Sequence, residues 1–270
     1  MEFLNVFWDA GLMRDKGLYP SILAIGDSWF WYPFPGGSLL NRLGPMVAPR
    51  EHVILAYGYN GAEAFDYVHG TYAKQIRTAF DLYGSSLSAV FISGGGNDFS
   101  GINDLRPMLL DDCSACATPA ACFRQPTEFG SMGWLLDKVG RSYVALIDQA
   151  SGATWRTAGG AKIILHNYDY APVSGVGLFG PDSSPWLQPS FEAARVAQGL
   201  RDGCIRLLVD AFTDTLDAIA ARYPGRVFVV DSRRALQRAD WANELHPKPS
   251  GFDKIAARWL PVLRAQGLAD

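Results

Sequence analysis

The chain has 270 residues, of which 49% are hydrophobic and 19% are charged, a composition that supplies a sizeable core and argues against a disordered chain. The net charge is −3 and no run of lysine or arginine occurs, so the basic surface of a nucleic-acid-binding protein is missing. No apolar run is long enough to cross a bilayer, and we expect neither a nucleic-acid partner nor a membrane span.

Segment 1–20 precedes the first predicted strand and contains several charged residues, among them Arg14, Asp15 and Lys16. Such a segment does not resemble a secretory signal, which favours a cytoplasmic location. A secreted or periplasmic protein whose leader has been removed would show the same pattern, so that alternative stays open.

Short β-prone apolar runs alternate with helical stretches along the chain. Each run is uniformly apolar, as in strands that are buried on both faces. The five predicted strands are 21–25, 52–56, 89–93, 162–166 and 226–230. This alternation predicts a single α/β domain over 1–270, with a five-stranded parallel sheet and helices on both of its faces.

The first predicted strand ends in Gly26-Asp27-Ser28-Trp29, which places Ser28 on a turn after a buried strand. A serine there is well placed to be a nucleophile if a base takes its proton and donors stabilise the oxyanion. Taken alone, such a serine is more often a turn or capping residue. We expect Asp27 to order this turn by hydrogen bonds to the backbone.

A dense aromatic run follows the serine. It would either line an apolar acyl or aryl pocket or pack the surrounding loops. Its members are Trp29, Phe30, Trp31, Tyr32 and Phe34. Our candidates for substrate contact are Trp29, Trp31 and Tyr59.

The second and third predicted strands end in Gly58-Tyr59-Asn60-Gly61 and Gly94-Gly95-Gly96-Asn97-Asp98. Glycines allow a backbone N–H to approach a substrate closely, and an asparagine amide can donate a further hydrogen bond. With the N–H of Ser28, these groups make a plausible oxyanion hole, although a glycine triplet alone is more often a flexible turn. A helix is predicted between these strands from apolar residues at three-to-four spacing, which are Phe65, Val68, Tyr72, Ile76 and Ala79.

Two long segments, 99–130 and 169–190, follow predicted strand ends and are candidate lids that shape the substrate site. The first contains Cys113, Cys116 and Cys122, which could hold a disulfide or contribute to a zinc site. The second pair of ligands that zinc sites normally have is absent nearby, and we predict no metal. Cys204 is assigned to the core face of a helix that also contains Leu200, Leu207 and Ala211.

His246 lies in Asn243-Glu244-Leu245-His246-Pro247, immediately before the last predicted helix, and could reach the edge of the sheet where the strands end. Ser250 and Asp253 have the spacing of a capping signal for that helix. For the other three histidines, His52, His69 and His166, we expect structural or surface roles.

Four blocks, in this order, resemble those of the SGNH (GDSL-like) hydrolases: Gly26-Asp27-Ser28, Gly61, Gly96-Asn97-Asp98 and His246-Pro247. The resemblance implies a flavodoxin-like three-layer α/β/α sandwich, with no metal or organic cofactor. It implies that Ser28 is the nucleophile and that His246 is its general base. The oxyanion donors that it implies are the N–H groups of Ser28 and Gly61 and the side chain of Asn97.

One departure concerns the third member of the catalytic triad, because the family usually has an aspartate three residues before the histidine and this chain has Asn243. A neutral amide can orient an imidazole but gives less support to the imidazolium. Asn243 or a backbone carbonyl is our first candidate, ahead of Asp240 and Glu244.

The resulting hypothesis is a serine esterase that acts through an acyl-enzyme on a small-molecule, lipid or glycan ester. Acyl transfer at the same site and a non-catalytic ligand-binding protein are the alternatives. A third alternative is an interaction protein that is stabilised by a metal at the cysteine cluster.

Overall fold

The computed structural model describes residues 5–31, 37–155, 160–181 and 183–270. Its sheet has six parallel strands in the order β1-β3-β2-β4-β5-β6. The strands are β1 (Val6–Phe7), β2 (Ile22–Gly26), β3 (Ile54–Gly58), β4 (Ala89–Ser93), β5 (Lys162–His166) and β6 (Val227–Val230). The five predicted strands are confirmed, two of them with exact bounds and three with end shifts of one or two residues, whereas the predicted total of five is wrong.

The additional strand β1 is an edge strand of two residues, in which Val6 pairs with Ile54 and Phe7 with Leu55. Two residues are too few to produce a periodic pattern, so the sequence contains no signal for this strand.

Helices cover both faces of the sheet. They are α1 (Ala10–Asp15), α2 (Leu40–Val47), α3 (Ala73–Tyr83), α4 (Leu105–Met108), α5 (Met132–Thr154), α6 (Gln188–Ala193), α7 (Gln198–Ala220) and α8 (Pro249–Ala265). On one face, Trp259 of α8 packs edge-on against Phe91 of β4, with 5.1 Å between ring centroids. On the other, the hydroxyl of Tyr143 in α5 donates to the carbonyl of Gly94, just after β4, at 2.8 Å. The three-layer α/β/α prediction is therefore confirmed.

Two local helix predictions are wrong. The helix expected from Phe65 onward begins only at Ala73, because a 3-10 turn (Ala64–Tyr67) and Gly70 interrupt it. The last helix begins at Pro249 without a side-chain cap, since proline at the first helical position is itself preorganised. Ser250 is therefore not its cap, and Asp253 instead forms an ion pair with Arg42.

Helix α7 is confirmed, but its buried face differs from the predicted one. Cys204 is buried as expected, whereas Leu207 and Ala211 are only half-buried. Ile205, Leu208, Val209 and Phe212 complete the buried stripe.

None of the helices within the described ranges is long and apolar enough to span a bilayer.

Candidate active site

The strand order reverses at β2, because β3 lies on one side of it and β4 on the other. In an open parallel sheet, such a reversal leaves a crevice beyond the carboxyl ends of the strands. Ser28 follows β2 by two residues and Asn97 follows β4 by four, and both line one pocket in this crevice. The topology thus brings the candidate nucleophile and one candidate oxyanion donor together.

The central contact of the site joins residues that are 218 positions apart: Ser28 Oγ lies 2.8 Å from His246 Nε2. The histidine belongs to a loop that is closed by a backbone bridge between Trp241 and Pro247. The N–H of Ala242 donates to the carbonyl of His246 at 2.9 Å within that loop. A backbone closed on itself in this way holds the imidazole in place.

Asn243 faces the other nitrogen of the imidazole. Its Oδ1 lies 3.0 Å from His246 Nδ1 and also accepts the N–H groups of Leu245, at 3.0 Å, and His246, at 2.8 Å. Because two backbone donors fix the amide with its oxygen towards the ring, Nδ1 must carry the hydrogen. The lone pair of Nε2 is then directed at the Ser28 hydroxyl, as a general base requires.

Burial defines the charge state of this pair. Ser28 and His246 are 8% and 5% exposed, and desolvation lowers the pKa of His246 to about 4. The imidazole is therefore neutral over the ordinary pH range, ready to accept a proton. The neutral amide at Nδ1 gives the imidazolium less support than a carboxylate would give.

The two other candidates for the third position bind elsewhere. Asp240 accepts hydrogen bonds from the Lys254 ammonium and from the Gln237 N–H, both at 2.7 Å. Glu244 is fully buried and accepts the N–H groups of Leu187, at 2.6 Å, and Gly175, at 3.0 Å. Of the three side chains, the imidazole thus has Asn243 at its Nδ1.

Asp27 orders the serine turn as expected, since its Oδ1 accepts the Trp29 N–H at 2.9 Å. Its Oδ2 accepts the hydroxyl of Tyr168 at 2.5 Å, a partner that the sequence did not indicate. Burial raises the pKa of Asp27 to about 6, against the opposing effect of these hydrogen bonds. Trp29 Nε1 in turn donates to the Leu245 carbonyl at 2.9 Å and so ties the serine turn to the histidine loop.

Two of the three candidate oxyanion donors, Gly61 and Asn97, come from adjoining segments. Asn97 Nδ2 donates to the Ala62 carbonyl at 2.9 Å, and Asp98 Oδ2 accepts the Ala64 N–H at 2.8 Å. These bonds fix segment 61–64 against the end of β4. Gly61 has φ +73°, a conformation that favours glycine. The roles of Ser28, Gly61 and Asn97 as oxyanion donors stay predictions.

The three candidate substrate contacts lie in two different places. Trp29 is 3% exposed and lines the pocket beside Ser28. Trp31 and Tyr59 line a separate groove, where Tyr59 stacks on Tyr72 with 3.6 Å between ring centroids. Residues 28–30 form a turn, in which the N–H groups of Phe30 and Trp31 both donate to the Asp27 carbonyl, and this turn separates the two tryptophan side chains. Tyr32 and Phe34 lie outside the described residues.

The wall of the Ser28 pocket is mostly apolar, and several of its residues were not singled out in the sequence. Both long segments contribute, as the lid prediction supposed, and so does α7. The contributors from these three elements are Phe99, Ser100, Asp169, Ala171, Leu187, Ile205, Leu208 and Val209. The stripe of α7 was recognisable as apolar, but periodicity could not tell that part of it faces a pocket.

Other Ser–His contacts occur in the described chain and differ from the pair at the pocket. His166 is fully buried between Ser93, at 3.2 Å, and Ser232, at 2.8 Å, as its expected structural role requires. His52 contacts Ser21 at 2.9 Å, and Ser21 Oγ also accepts the Val53 N–H. His69 is exposed beside Phe65.

Comparison with known proteins gives no matching family model and no matching curated protein. Solved structures do match over nearly the whole chain. A lipase from a goat rumen metagenome is 13% identical with a TM-score of 0.54, covering 93% of this chain and 99% of its own. A carbohydrate acetylesterase family member from Sinorhizobium meliloti is 14% identical with a TM-score of 0.51, covering 92% and 99%.

A protein from Slackia heliotrinireducens assigned to the SGNH hydrolases is 13% identical, with a TM-score of 0.50 and coverage of 90% of this chain and 97% of its own. Identities this low establish the fold alone. The parallel sheet between two helical layers is thus a fold that this chain shares with these three proteins.

Proposed function

We propose that this protein is a serine hydrolase that cleaves a carboxylic ester through an acyl-enzyme. The observation that carries the proposal is the 2.8 Å contact between Ser28 Oγ and His246 Nε2 at the edge of a pocket. The hydrogen on Nδ1, fixed by Asn243, leaves Nε2 as the acceptor that a nucleophilic serine needs.

In the first half-reaction, His246 takes the Ser28 proton while Oγ attacks the carbonyl carbon of the ester. The resulting oxyanion would accept hydrogen bonds from the N–H groups of Ser28 and Gly61 and from the Asn97 amide. Asn97 Nδ2 already donates one hydrogen to Ala62, and its second hydrogen can serve the oxyanion. The imidazolium then protonates the departing alcohol.

In the second half-reaction, His246 removes a proton from water, which attacks the acyl carbon. The bond between the acyl carbon and Ser28 Oγ then breaks, and the imidazolium returns the proton to Oγ as the acid leaves. The apolar wall formed by Trp29, Phe99 and residues of α7 suits the hydrocarbon part of an ester. The fold neighbours include a lipase and a carbohydrate acetylesterase, and an ester is the substrate class that we propose for this chain.

The experiment is labelling of the purified protein with a fluorophosphonate, followed by mass-spectrometric mapping of the modified residue. We expect one adduct, on Ser28, and loss of both the adduct and the hydrolysis of a short-chain aryl ester in Ser28→Ala. Hydrolysis by Ser28→Ala at the parental rate would disprove the proposal.

A matched control is Ser21→Ala, because Ser21 also contacts a histidine, His52, at 2.9 Å. That variant should keep both the adduct and the activity. An adduct that is absent in Ser21→Ala but present in Ser28→Ala would identify Ser21 as the nucleophile and contradict the proposal.

A further inference from the structure

Three of the four cysteines converge within segment 99–130. The Sγ atoms of Cys113, Cys116 and Cys122 all lie within 4.8 Å of one another. Cys113 and Cys122 are fully buried and Cys116 is half-buried. All three are free thiols, so none of them is joined in a disulfide and each sulfur is a soft ligand for a metal ion.

The fourth cysteine approaches the same cluster from α7. Cys204 is fully buried and its Sγ donates to the carbonyl of Pro119, three residues before Cys122, at 3.7 Å, but it is not in the group of sulfurs that all lie within 4.8 Å of one another. A Cβ at the preceding residue, Gly203, would lie 2.6 Å from Pro119 Cγ. Glycine at 203 therefore permits Pro119, which lies just before the 3-10 turn Ala120–Cys122, to pack closely against α7. Helix α7 thus brings a fourth thiol into the neighbourhood of the three cysteines of segment 99–130.

We propose that Cys113, Cys116, Cys122 and Cys204 form a closed structural site for one Zn²⁺. Four thiolates at tetrahedral corners, with Zn–S bonds of about 2.3 Å, stand about 3.8 Å apart. The three sulfurs within 4.8 Å of one another need a contraction of at most about 1 Å to reach that geometry, and Cys204 Sγ, which lies outside that group, must move towards them to complete the tetrahedron. Cys113 and Cys116 also have the C-x2-C spacing that structural zinc sites use.

Binding exchanges four thiol protons for the metal: four Cys–SH groups and one Zn²⁺ give a tetrathiolate zinc centre and four H⁺. The thiols now donate to carbonyl oxygens, for example Cys116 Sγ to Ala121 at 3.2 Å. Because the metal displaces these thiol protons, metal binding must strengthen as the pH rises.

The position of the site explains what the metal would do. Segment 99–130 contains only α4 and a 3-10 turn (Ala120–Cys122) as regular helical structure, yet it contributes Phe99 and Ser100 to the pocket. A zinc ion would fasten this segment to α7, the other apolar wall of that pocket. A disulfide within the trio would use two sulfurs, leave the third, and require an external oxidant.

The test is metal analysis of the full chain, followed by stripping under reducing conditions and titration with Co²⁺ in place of Zn²⁺. We expect about one metal ion per chain and thiolate-to-cobalt charge-transfer bands of a tetrahedral tetrathiolate centre. Cys204→Ser should change this spectrum and weaken binding by at least about tenfold, as loss of one ligand requires. The matched control is Ala115→Ser, which adds the same hydroxyl at an exposed position between two of the ligands.

Two results would overturn the site. One is a reduced protein that takes up neither Zn²⁺ nor Co²⁺. The other is Co²⁺ binding that is unaltered in Cys204→Ser. Because the wild-type titration needs no variant, a misfolded substitution cannot hide the answer, and metal content is measured independently of ester hydrolysis.

Discussion

Asn243 occupies the position beside His246 at which an acidic residue would give ionic support, and its Oδ1 lies 3.0 Å from the imidazole Nδ1. Two backbone N–H groups, those of Leu245 and His246, converge on the same oxygen. The site thus obtains the correct imidazole tautomer from the backbone arrangement of the loop, without a negative charge. The consequences of this substitution for the base can be measured.

Asn243→Asp should raise the pKa of His246, because a carboxylate stabilises the imidazolium. Since burial holds that pKa at about 4 in the parent, activity should fall only as the pH drops to about 4. In the variant this acidic limb should move to higher pH. The charged acceptor should also raise kcat/KM at pH 8 by about tenfold, as expected for about 1.4 kcal/mol of extra support in the transition state. Full pH profiles of kcat/KM check both effects.

Asn243→Ala is the companion variant, which removes the acceptor for Nδ1. It should lower kcat by favouring the wrong tautomer. An acidic limb at the same pH in Asn243→Asp and the parent would show that residue 243 does not control the base.

Asn97→Ala should lower kcat by about two orders of magnitude, the usual cost of one oxyanion donor. The effect should fall mainly on kcat rather than KM, because the donor is used most in the transition state. Steady-state kinetics below the unfolding temperature will test this expectation. Asn60→Ala, which truncates an exposed amide in the neighbouring segment, is the control, and an equal loss in both variants would contradict a specific role for Asn97.

Asp98→Asn should change how stability depends on pH. Asp98 is 1% exposed, its Oδ1 has no hydrogen-bond partner, and burial raises its pKa to about 7 from an ordinary value of 3.8. The folded state therefore holds this proton more tightly than the unfolded state. Stability contributed by the carboxyl is full below about pH 4 and is lost as the pH rises through about 7.

Between pH 5 and pH 8 this loss amounts to about 2 to 3 kcal/mol of unfolding free energy in the parent. The Asp98→Asn variant should not show it, because an asparagine side chain does not titrate. Urea unfolding of both proteins at the two pH values measures the difference, with Asp81→Asn as a control at an exposed position on α3. A constant stability difference between Asp98→Asn and the parent would refute the argument.

Glu244→Gln should loosen segment 169–190. The carboxylate of Glu244 accepts three backbone N–H groups, those of Gly175, Leu187 and Gln188. An amide has one oxygen, so its NH₂ group must face at least one of these donors, which costs about 1 to 3 kcal/mol. Unfolding curves and limited proteolysis of the segment should both report the change.

Glu192→Gln tests the same chemical change at an exposed carboxylate of α6. We expect the parental unfolding free energy and cleavage rate there. Equal protease sensitivity of Glu244→Gln and the parent would mean that Glu244 does not anchor the segment.

The local features of the chain decided much of the fold. Uniformly apolar runs gave five of the six strands, and the glycine-rich turns after three of them marked where Ser28, Gly61 and Asn97 would lie. Strand β1 was not predicted, because two residues are too few to show a periodic pattern. Ser250 was wrongly predicted to cap the last helix, because Pro249 begins that helix without a side-chain cap. These errors are local, and they leave the position of the site unchanged.

By itself, the sequence determined five strands of the sheet, the serine turn and the candidate partners of Ser28, because strand burial and turn formation depend on residues that are close together in the chain. Only the tertiary structure decided which oxygen faces His246, which aromatic side chains border the pocket, and that the thiols of Cys113, Cys116 and Cys122 lie close together. Those outcomes depend on the directions of side chains from segments that are far apart in the chain, and no local pattern encodes such directions.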